Sequence, residues 1–220
     1  MGWTEDQSDK FPLPLCDRQE ALDLFAAALA TKLVSSQTFT QTDRKLKNLL
    51  CLLGLPDIGK TRMLWAILPL VKERLHELHQ MGQQAEEQGF LRVDNPEMIV
   101  LYAGYQNGNK WCEYDEYNPA ASLGWRMLMC YFGLRKVIAY ETFAQGLFEA
   151  SPPTFQKMTI PTAIAIIRAH SGISHLVVTV DEYQAARSDS NPKQFPGLLD
   201  AVVAVHTTDQ QCLWILAGTD

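Results

Sequence analysis

The sequence lacks the marks of several common protein classes. Its five cysteines stand at wide intervals, with no CxxC or Cys/His spacing, which argues against a zinc site, and their odd number argues against a disulfide scaffold. Charged residues interrupt every apolar run well before the roughly 20 residues that a membrane span needs. The first ten residues are polar and acidic, unlike a secretory signal. We therefore expect an intracellular protein, cytoplasmic or nuclear, with free thiols such as Cys51 and Cys212 buried in strands.

Positive charge is also scarce. The formal net charge is -6, the sequence pI is about 5.4, and no run of Lys and Arg stands out. A net negative chain gains little from releasing the counterions of a phosphate backbone, so direct nucleic-acid binding is not favoured. No G-x-S-x-G segment is present, which removes the signature of one large class of hydrolases.

Short unbroken apolar runs alternate with helical patterns along the chain. Runs without polar alternation are typical of strands buried on both faces of a parallel sheet. The predicted strands are Leu49–Leu53, Met98–Ala103, Leu176–Val180 and Leu213–Ala217. Helices are predicted after residue 62 and over 120–131, 137–150, 161–170 and 196–206, with a helix breaker at 151–153. This alternation predicts an α/β fold, with a mostly parallel sheet flanked by helices in three layers.

The domain organisation is predicted to be simple. Residues 1–14 form a flexible lead-in that Pro12 and Pro14 keep extended. Residues 15–220 form one domain, with a helical insertion at about 104–158 between the second and third core strands. Residues 104–118 are predicted to be irregular. Their aromatic side chains, interleaved with acids, either pack onto the body of the domain or offer a surface to a protein partner.

One segment has the spacing of a phosphate-binding loop, G-x-x-x-x-G-K-[ST]. The segment reads Gly54, Leu55, Pro56, Asp57, Ile58, Gly59, Lys60, Thr61, and Arg62 follows it. Glycines let backbone N–H groups turn toward phosphate oxygens, and the next helix directs its positive end at the anion. Lys60 supplies charge to the β- and γ-phosphates, and the Thr61 hydroxyl binds Mg²⁺. Asp57 stands where many such loops have glycine, and its carboxylate must face away from the phosphates.

A second motif is the run LVVTVDE, a predicted buried strand that ends in two acids. Asp181, at the carboxyl end of the strand, is the candidate second ligand of Mg²⁺, and Glu182 is the candidate base that polarises the attacking water. The alternative interpretation is a strand followed by an ordinary acidic turn.

Two further features are open to two interpretations each. Thr219, after the strand in LWILAGTD, either senses the γ-phosphate as a catalytic group or is a plain turn residue, and Asp220 is a weaker candidate for the same role. Arg18 and Glu20 either form an element similar to the Arg-x-Glu segment that lies near the adenine in related ATPases, or are solvated charges at a helix start.

Taken in order, these segments resemble the additional-strand division of P-loop ATPases, the AAA+ and STAND groups. GKTR, the long helical insertion and VDEYQ are most similar to the Crinkler and retrotransposon-hot-spot ATPase domains. The resemblance implies a P-loop NTPase fold that binds ATP and Mg²⁺. It also implies a fifth core strand and a helical lid bearing an arginine after the sensor strand, so we expect the core to be incomplete at Asp220.

The loop is also similar to that of translation-factor GTPases, but no N-K-x-D segment for guanine is present, which favours adenine. The leading hypothesis is a domain that binds Mg-ATP and hydrolyses it to drive a conformational switch. One alternative is a nucleotide-gated interaction module without hydrolysis, with protein partners at 104–158. Another is a fragment of a mobile-element or effector protein.

Overall fold

The computed structural model describes part of the chain. The described residues are 20, 22–24, 26–27, 49–53, single helical positions between 63 and 80, 98–105, 110–173, 175–186, 194–209 and 211–218. The strands are β1 (Leu50–Leu53), β2 (Met98–Tyr102), β3 (His175–Asp181) and β4 (Cys212–Gly218). The helices with defined bounds are α1 (Pro119–Tyr131), α2 (Tyr140–Ala150), α3 (Pro152–Lys157), α4 (Ile160–Ser171) and α5 (Gln194–Thr208).

The four strands form one parallel sheet in the order β1-β4-β3-β2. Strands β3 and β4 occupy its centre and are buried along their whole length, as their unbroken apolar runs predicted. Helices lie between consecutive strands, because parallel neighbours need a crossover connection. The predicted α/β class with a parallel sheet flanked by helices is confirmed.

The prediction of buried thiols is wrong at one position. Cys51 is exposed, whereas Cys112 and Cys212 are buried and Cys130 is partly buried; all four are free, as expected. Cys51 lies in β1, which pairs with β4 on one side and has no strand on its other side within the described residues. A strand at that position has fewer neighbours to cover it, although its apolar run looks the same in the sequence.

Helix boundaries follow local capping. The Asn118 side chain accepts hydrogen bonds from the backbone N–H groups of Ala120 and Ala121, at 3.1 and 3.2 Å, which begins α1. The Thr159 hydroxyl accepts one from the N–H of Thr162, at 3.1 Å, which begins α4. Helix α4 ends at Gly172, whose φ of 73° is the left-handed conformation that glycine adopts without cost. The helices predicted at 120–131 and 161–170 are confirmed.

The segment between α1 and α4 differs from the prediction in detail. The helix predicted over 137–150 begins only at Tyr140, after a 3-10 turn at Leu134–Lys136. The residues at 151–153 end α2, but a new helix, α3, begins at once, because proline is well suited to the first turn of a helix. The irregular region before α1 contains a 3-10 turn at Glu113–Glu116.

Helix α1 is part of the main core, although it lies in the segment predicted to be an insertion. It packs against β2, α4 and α5. Its buried side chains Ala121, Leu123 and Met127 belong to the same cluster as the buried side chains of β3 and β4. Within the described residues, no helix is long and apolar enough to cross a membrane.

A buried ionic cluster ties the region before α1 to α1 and α2. The Arg126 guanidinium donates to both carboxylate oxygens of Asp115, at 2.9 Å each, and both residues are almost fully buried. It also lies over the Tyr140 ring, with its Cζ atom 3.4 Å from the centroid, and over Tyr105 at 4.5 Å. The Tyr140 hydroxyl donates to Asp115 at 2.7 Å.

This pairing offsets the cost of burying two charges. Burial alone would raise the pKa of Asp115, but the charge of Arg126 and its hydrogen bonds outweigh it, and the pKa lies below its ordinary value. Burial raises the pKa of Tyr105 to about 12 and the pKa of Tyr140 well above its ordinary value. Both aromatic neighbours therefore stay neutral beside the ion pair at physiological pH.

The aromatic side chains of residues 104–118 make ring contacts with the body of the domain, although Tyr117 remains exposed. Tyr117 stacks on Phe148 with ring centroids 4.8 Å apart, and Tyr114 lies 5.4 Å from the same ring. Trp111 packs on Tyr105 at 5.9 Å.

Breaking the buried ion pair is expected to be costly. Arg126→Met should lower the free energy of unfolding by about 3–5 kcal/mol, because it leaves Asp115 buried without its counter-charge. The control is Arg168→Met, which removes a partly exposed pair with Asp209 and should cost roughly 1 kcal/mol or less. Urea unfolding measures both. Equal losses in the two variants would contradict the role assigned to the buried cluster.

His175, at the amino end of β3, predicts a pH dependence of stability. Burial, assisted by the charge of Arg168 and opposed by Asp209, lowers the pKa of His175 below its ordinary value of about 6.5. Below that pH, His175 is protonated in the unfolded chain but still neutral in the folded chain. The free energy of unfolding therefore falls on acidification by up to about 1.4 kcal/mol per pH unit. In His175→Gln, the decline of the unfolding free energy between pH 7 and 5 should be shallower. Parallel declines would show that His175 does not contribute.

Candidate functional site

The carboxyl ends of three parallel strands meet at one edge of the sheet. Leu53, the last residue of β1, pairs with Gly218 at the end of β4, and Asp181 at the end of β3 pairs with Ala217. Because β4 lies between the other two strands, β1 and β3 are two strand spacings apart, on the order of 10 Å. Ligands of open α/β sheets bind beyond this edge, so it is the candidate functional site.

Asp181 is held firmly at this edge. Its side chain is buried, and its carboxylate accepts a hydrogen bond from the N–H of Glu182 at 3.0 Å. Its carbonyl accepts one from the N–H of Tyr105 at 3.1 Å, which continues the pairing of β2 and β3 past the end of β2. A Cβ atom at Gly104 would lie 3.3 Å from the Cβ of Asp181, so glycine allows this close approach.

Glu182 turns the chain away from the sheet. Its φ of 52° is left-handed, which is uncommon for a residue other than glycine. Its carbonyl accepts from the N–H of Ala185 at 2.9 Å, in the 3-10 turn Tyr183–Ala186. The turn folds the chain back so that the Gln184 side-chain amide donates to the Glu182 carboxylate.

The same turn packs against the end of β4. A side chain at Gly218 would collide with the amide oxygen of Gln184 and would come within 2.6 Å of the Tyr183 ring. Glycine at the last position of β4 therefore lets Tyr183 and Gln184 lie against the strand end. The acids of β3 and the carboxyl end of β4 thus form one packed unit.

The described residues include some of the predicted site and not the rest. Asp181 and Glu182 lie at the carboxyl edge, and Glu20 is an exposed helical residue. The loop Gly54–Arg62, with Lys60 and Thr61, lies outside the described residues, as do Arg18, Thr219 and Asp220. The structure does describe Leu53 and Gly218, the residues that directly precede Gly54 and Thr219.

Sequence reasoning missed Gln184. The segment VDEYQ as a whole carries the resemblance, but nothing in its letters indicates that the glutamine side chain returns to Glu182. If the strand continued, these two side chains would lie on the same face, with their Cα atoms about 6–7 Å apart along the strand. Their contact depends on the left-handed Glu182 and the 3-10 turn, neither of which has a signal such as glycine at the turning position.

Among the described residues at this edge, Asp181 and Glu182 are the acids that could bind a metal ion. Within the described part of the chain, no group of three or more His, Cys, Asp or Glu could hold a metal ion. Carboxylate oxygens such as those of Asp181 suit Mg²⁺, which keeps several water ligands and needs only one or two carboxylates from the protein. The two described acids are thus the residues of this edge that could supply oxygen ligands to Mg²⁺.

Comparisons with known proteins add little. No family model matches the sequence, and a search of curated proteins found no match. A search of solved structures found a chain from a structure titled "Structure of Drosophila ORC bound to DNA", with 13% sequence identity and a TM-score of 0.43. The match covers 94% of this chain and 40% of that chain, so this chain spans less than half of that chain's length. A likeness this weak assigns neither a family nor a function.

The packing at Gly218 predicts a strong difference between two glycine substitutions. Gly218→Ala should lower the free energy of unfolding by about 1–3 kcal/mol, because Tyr183 and Gln184 must move from the end of β4. Gly146→Ala is the control, since this exposed glycine in α2 has open space around it, and alanine should stabilise the helix by roughly 0.5–1 kcal/mol. Thermal and urea unfolding measure both. A neutral Gly218→Ala would show that the turn does not pack as described.

Proposed function

We propose that the chain binds Mg-ATP at the carboxyl edge of the sheet and hydrolyses it to drive a conformational switch. The observation that carries the proposal is the convergence of two strand ends. Leu53, which directly precedes the G-x-x-x-x-G-K-[ST] segment, and Asp181, which ends the acidic strand, finish at the same edge with β4 between them. A phosphate loop and a pair of acids must share an edge if they are to act on one nucleotide.

The spacing suits this chemistry. Two strand spacings, on the order of 10 Å, separate β1 from β3, which leaves room for a phosphate chain between the loop and the acids. Under this proposal the backbone N–H groups of Gly54–Thr61 cradle the phosphates, and Lys60 places its charge on them. Thr61 and Asp181 would hold Mg²⁺, Asp181 through water, and the ion when bound would neutralise charge that develops on the phosphates.

Glu182 is proposed as the residue that accepts a proton from the attacking water. It follows Asp181 directly and is half-buried, and the left-handed turn at its Cα directs the chain out of the sheet. A carboxylate placed there can orient a water and take its proton. Thr219, the residue after Gly218, is proposed to contact the γ-phosphate or the water from the end of β4.

The same arrangement supports the additional-strand division of P-loop ATPases as the proposed family, with Crinkler and retrotransposon-hot-spot domains as the nearest resemblance. One strand, β4, is interposed between the strand before the phosphate loop and the strand that carries the acids. Adenine is proposed as the base, because no N-K-x-D segment for guanine is present.

A second candidate is a nucleotide-gated module that binds ATP without hydrolysing it. Asp57 favours it, because a negative side chain within the phosphate loop opposes the developing charge on the phosphates. In this case nucleotide binding would change the exposure of residues 104–158 to a protein partner. Nucleotide-dependent protease protection without phosphate release would support this alternative over the first.

Two substitutions test the proposal. Lys60→Ala should weaken ATP binding by roughly 100-fold or more, because it removes the charge on the phosphates. Glu182→Gln should keep ATP binding and lower turnover by about 10²–10⁴-fold, because the amide cannot accept the proton. A fluorescent ATP analogue measures binding, and phosphate release measures turnover.

Matched controls come from exposed positions of the same residue types. Lys157→Ala in α3 and Glu141→Gln in α2 should leave binding and turnover unchanged. Wild-type turnover in Glu182→Gln would contradict the role of Glu182 in hydrolysis. Wild-type affinity in Lys60→Ala would contradict the proposed nucleotide site.

A further inference from the structure

We infer that Gln184 is a positioning residue that holds the carboxylate of Glu182 for its reaction with water. This inference rests on the proposed function, since it assigns the group that orients the proposed base. Its direct evidence is a hydrogen bond in which the Gln184 side-chain Nε2 donates to Oε2 of Glu182. Both side chains are half-buried, so solvent competes only weakly for this contact.

The direction of this hydrogen bond follows from chemistry. A carboxylate only accepts hydrogen bonds, whereas a glutamine amide has one donor end and one acceptor end. The opposite orientation of the amide would place its oxygen against the carboxylate, which is repulsive. The nitrogen must therefore face Glu182, and the hydrogen bond is assisted by the negative charge of its acceptor.

Packing prevents the amide from turning away. On its other side, the Gln184 oxygen lies where a side chain at Gly218 would be, and the Tyr183 ring lies close to the same point. That oxygen is buried and has no hydrogen-bond partner within the described residues. The end of β4 therefore packs against the amide, whose nitrogen donates to Glu182 within the described part of the chain.

The consequence for the reaction is geometric. Glu182 has three side-chain torsions, and a flexible carboxylate would spend much of its time away from the water it must deprotonate. Holding Oε2 removes most of this freedom and leaves Oε1 to accept the proton. A displacement of a reacting group by about 1 Å can cost 10²-fold in rate, so a single hydrogen bond to the base has a measurable effect.

The test removes the donor and keeps the length of the side chain. Gln184→Met should lower kcat about 10-fold, with KM and the affinity for ATP within twofold of the wild type. The matched control is Gln145→Met, which removes another Gln–Glu hydrogen bond, from Gln145 to Glu149 at 2.8 Å on the exposed face of α2. This control should leave kcat unchanged. Phosphate release and a fluorescent ATP analogue supply the readouts on the full chain.

A double substitution separates positioning from a purely structural role. If Gln184 acts through Glu182, then Gln184→Met should cause no further loss of kcat in a Glu182→Gln background. An equal loss in both backgrounds would overturn the inference. So would wild-type kcat in Gln184→Met while Glu182→Gln is inactive, an outcome that leaves the proposed function intact.

A second variant covers the case in which methionine disturbs folding. Gln184→Glu keeps the shape of the side chain but replaces the donor with a second carboxylate, and it should lower kcat more than Gln184→Met does. A smaller loss would contradict the inference. Wild-type turnover in Glu182→Gln, or a wild-type chain that releases no phosphate, would instead refute the proposed hydrolysis and this inference with it.

Discussion

The backbone hydrogen bonds between β3 and its two neighbours determine the arrangement of the described structure. They hold β2, β3 and β4 parallel, and the pairing of β4 with β1 extends the same direction to the edge of the described sheet. In a parallel sheet every strand ends at the same side, so residues far apart in the chain are brought to a common edge. Asp181, Gly218 and Leu53 reach one edge for this reason alone, and the local contacts at that edge then refine their positions.

Those local contacts lie on the two sides of the carboxyl end of β3. On one side, Gly104 and Tyr105 lie beside Asp181, and the Tyr105 ring contacts Arg126 of the buried ion pair. On the other side, the turn after Glu182 packs on Gly218. The buried ion pair thus has a role beyond its own energy, because it secures the segment that flanks the end of β3. Rigid support of this kind is what a site requires of its surroundings.

Much of the fold was predictable, since β3 and β4 contain mostly apolar runs without polar alternation, which are typical of strands buried in a parallel sheet. The helix starts at Asn118 and Thr159 were predictable because capping depends on neighbouring residues in the sequence.

Three features were not predictable from the sequence. The exposure of Cys51 depends on how many neighbours its strand has, and the pairing of Arg126 with Asp115 depends on packing between separate elements. The contact of Gln184 with Glu182 depends on a left-handed residue without glycine.

The topology also has a consequence for the order in which the chain folds as it leaves the ribosome. Leu50 pairs with Ile215, so β1 is synthesised before the other three strands and meets its partner β4 only after β2 and β3 have emerged. Strands β2 and β3, with α1 and α4 between them, can associate before that point, because their contacts span a shorter stretch of chain. Within the described sheet, strand β1 therefore joins no earlier than β4.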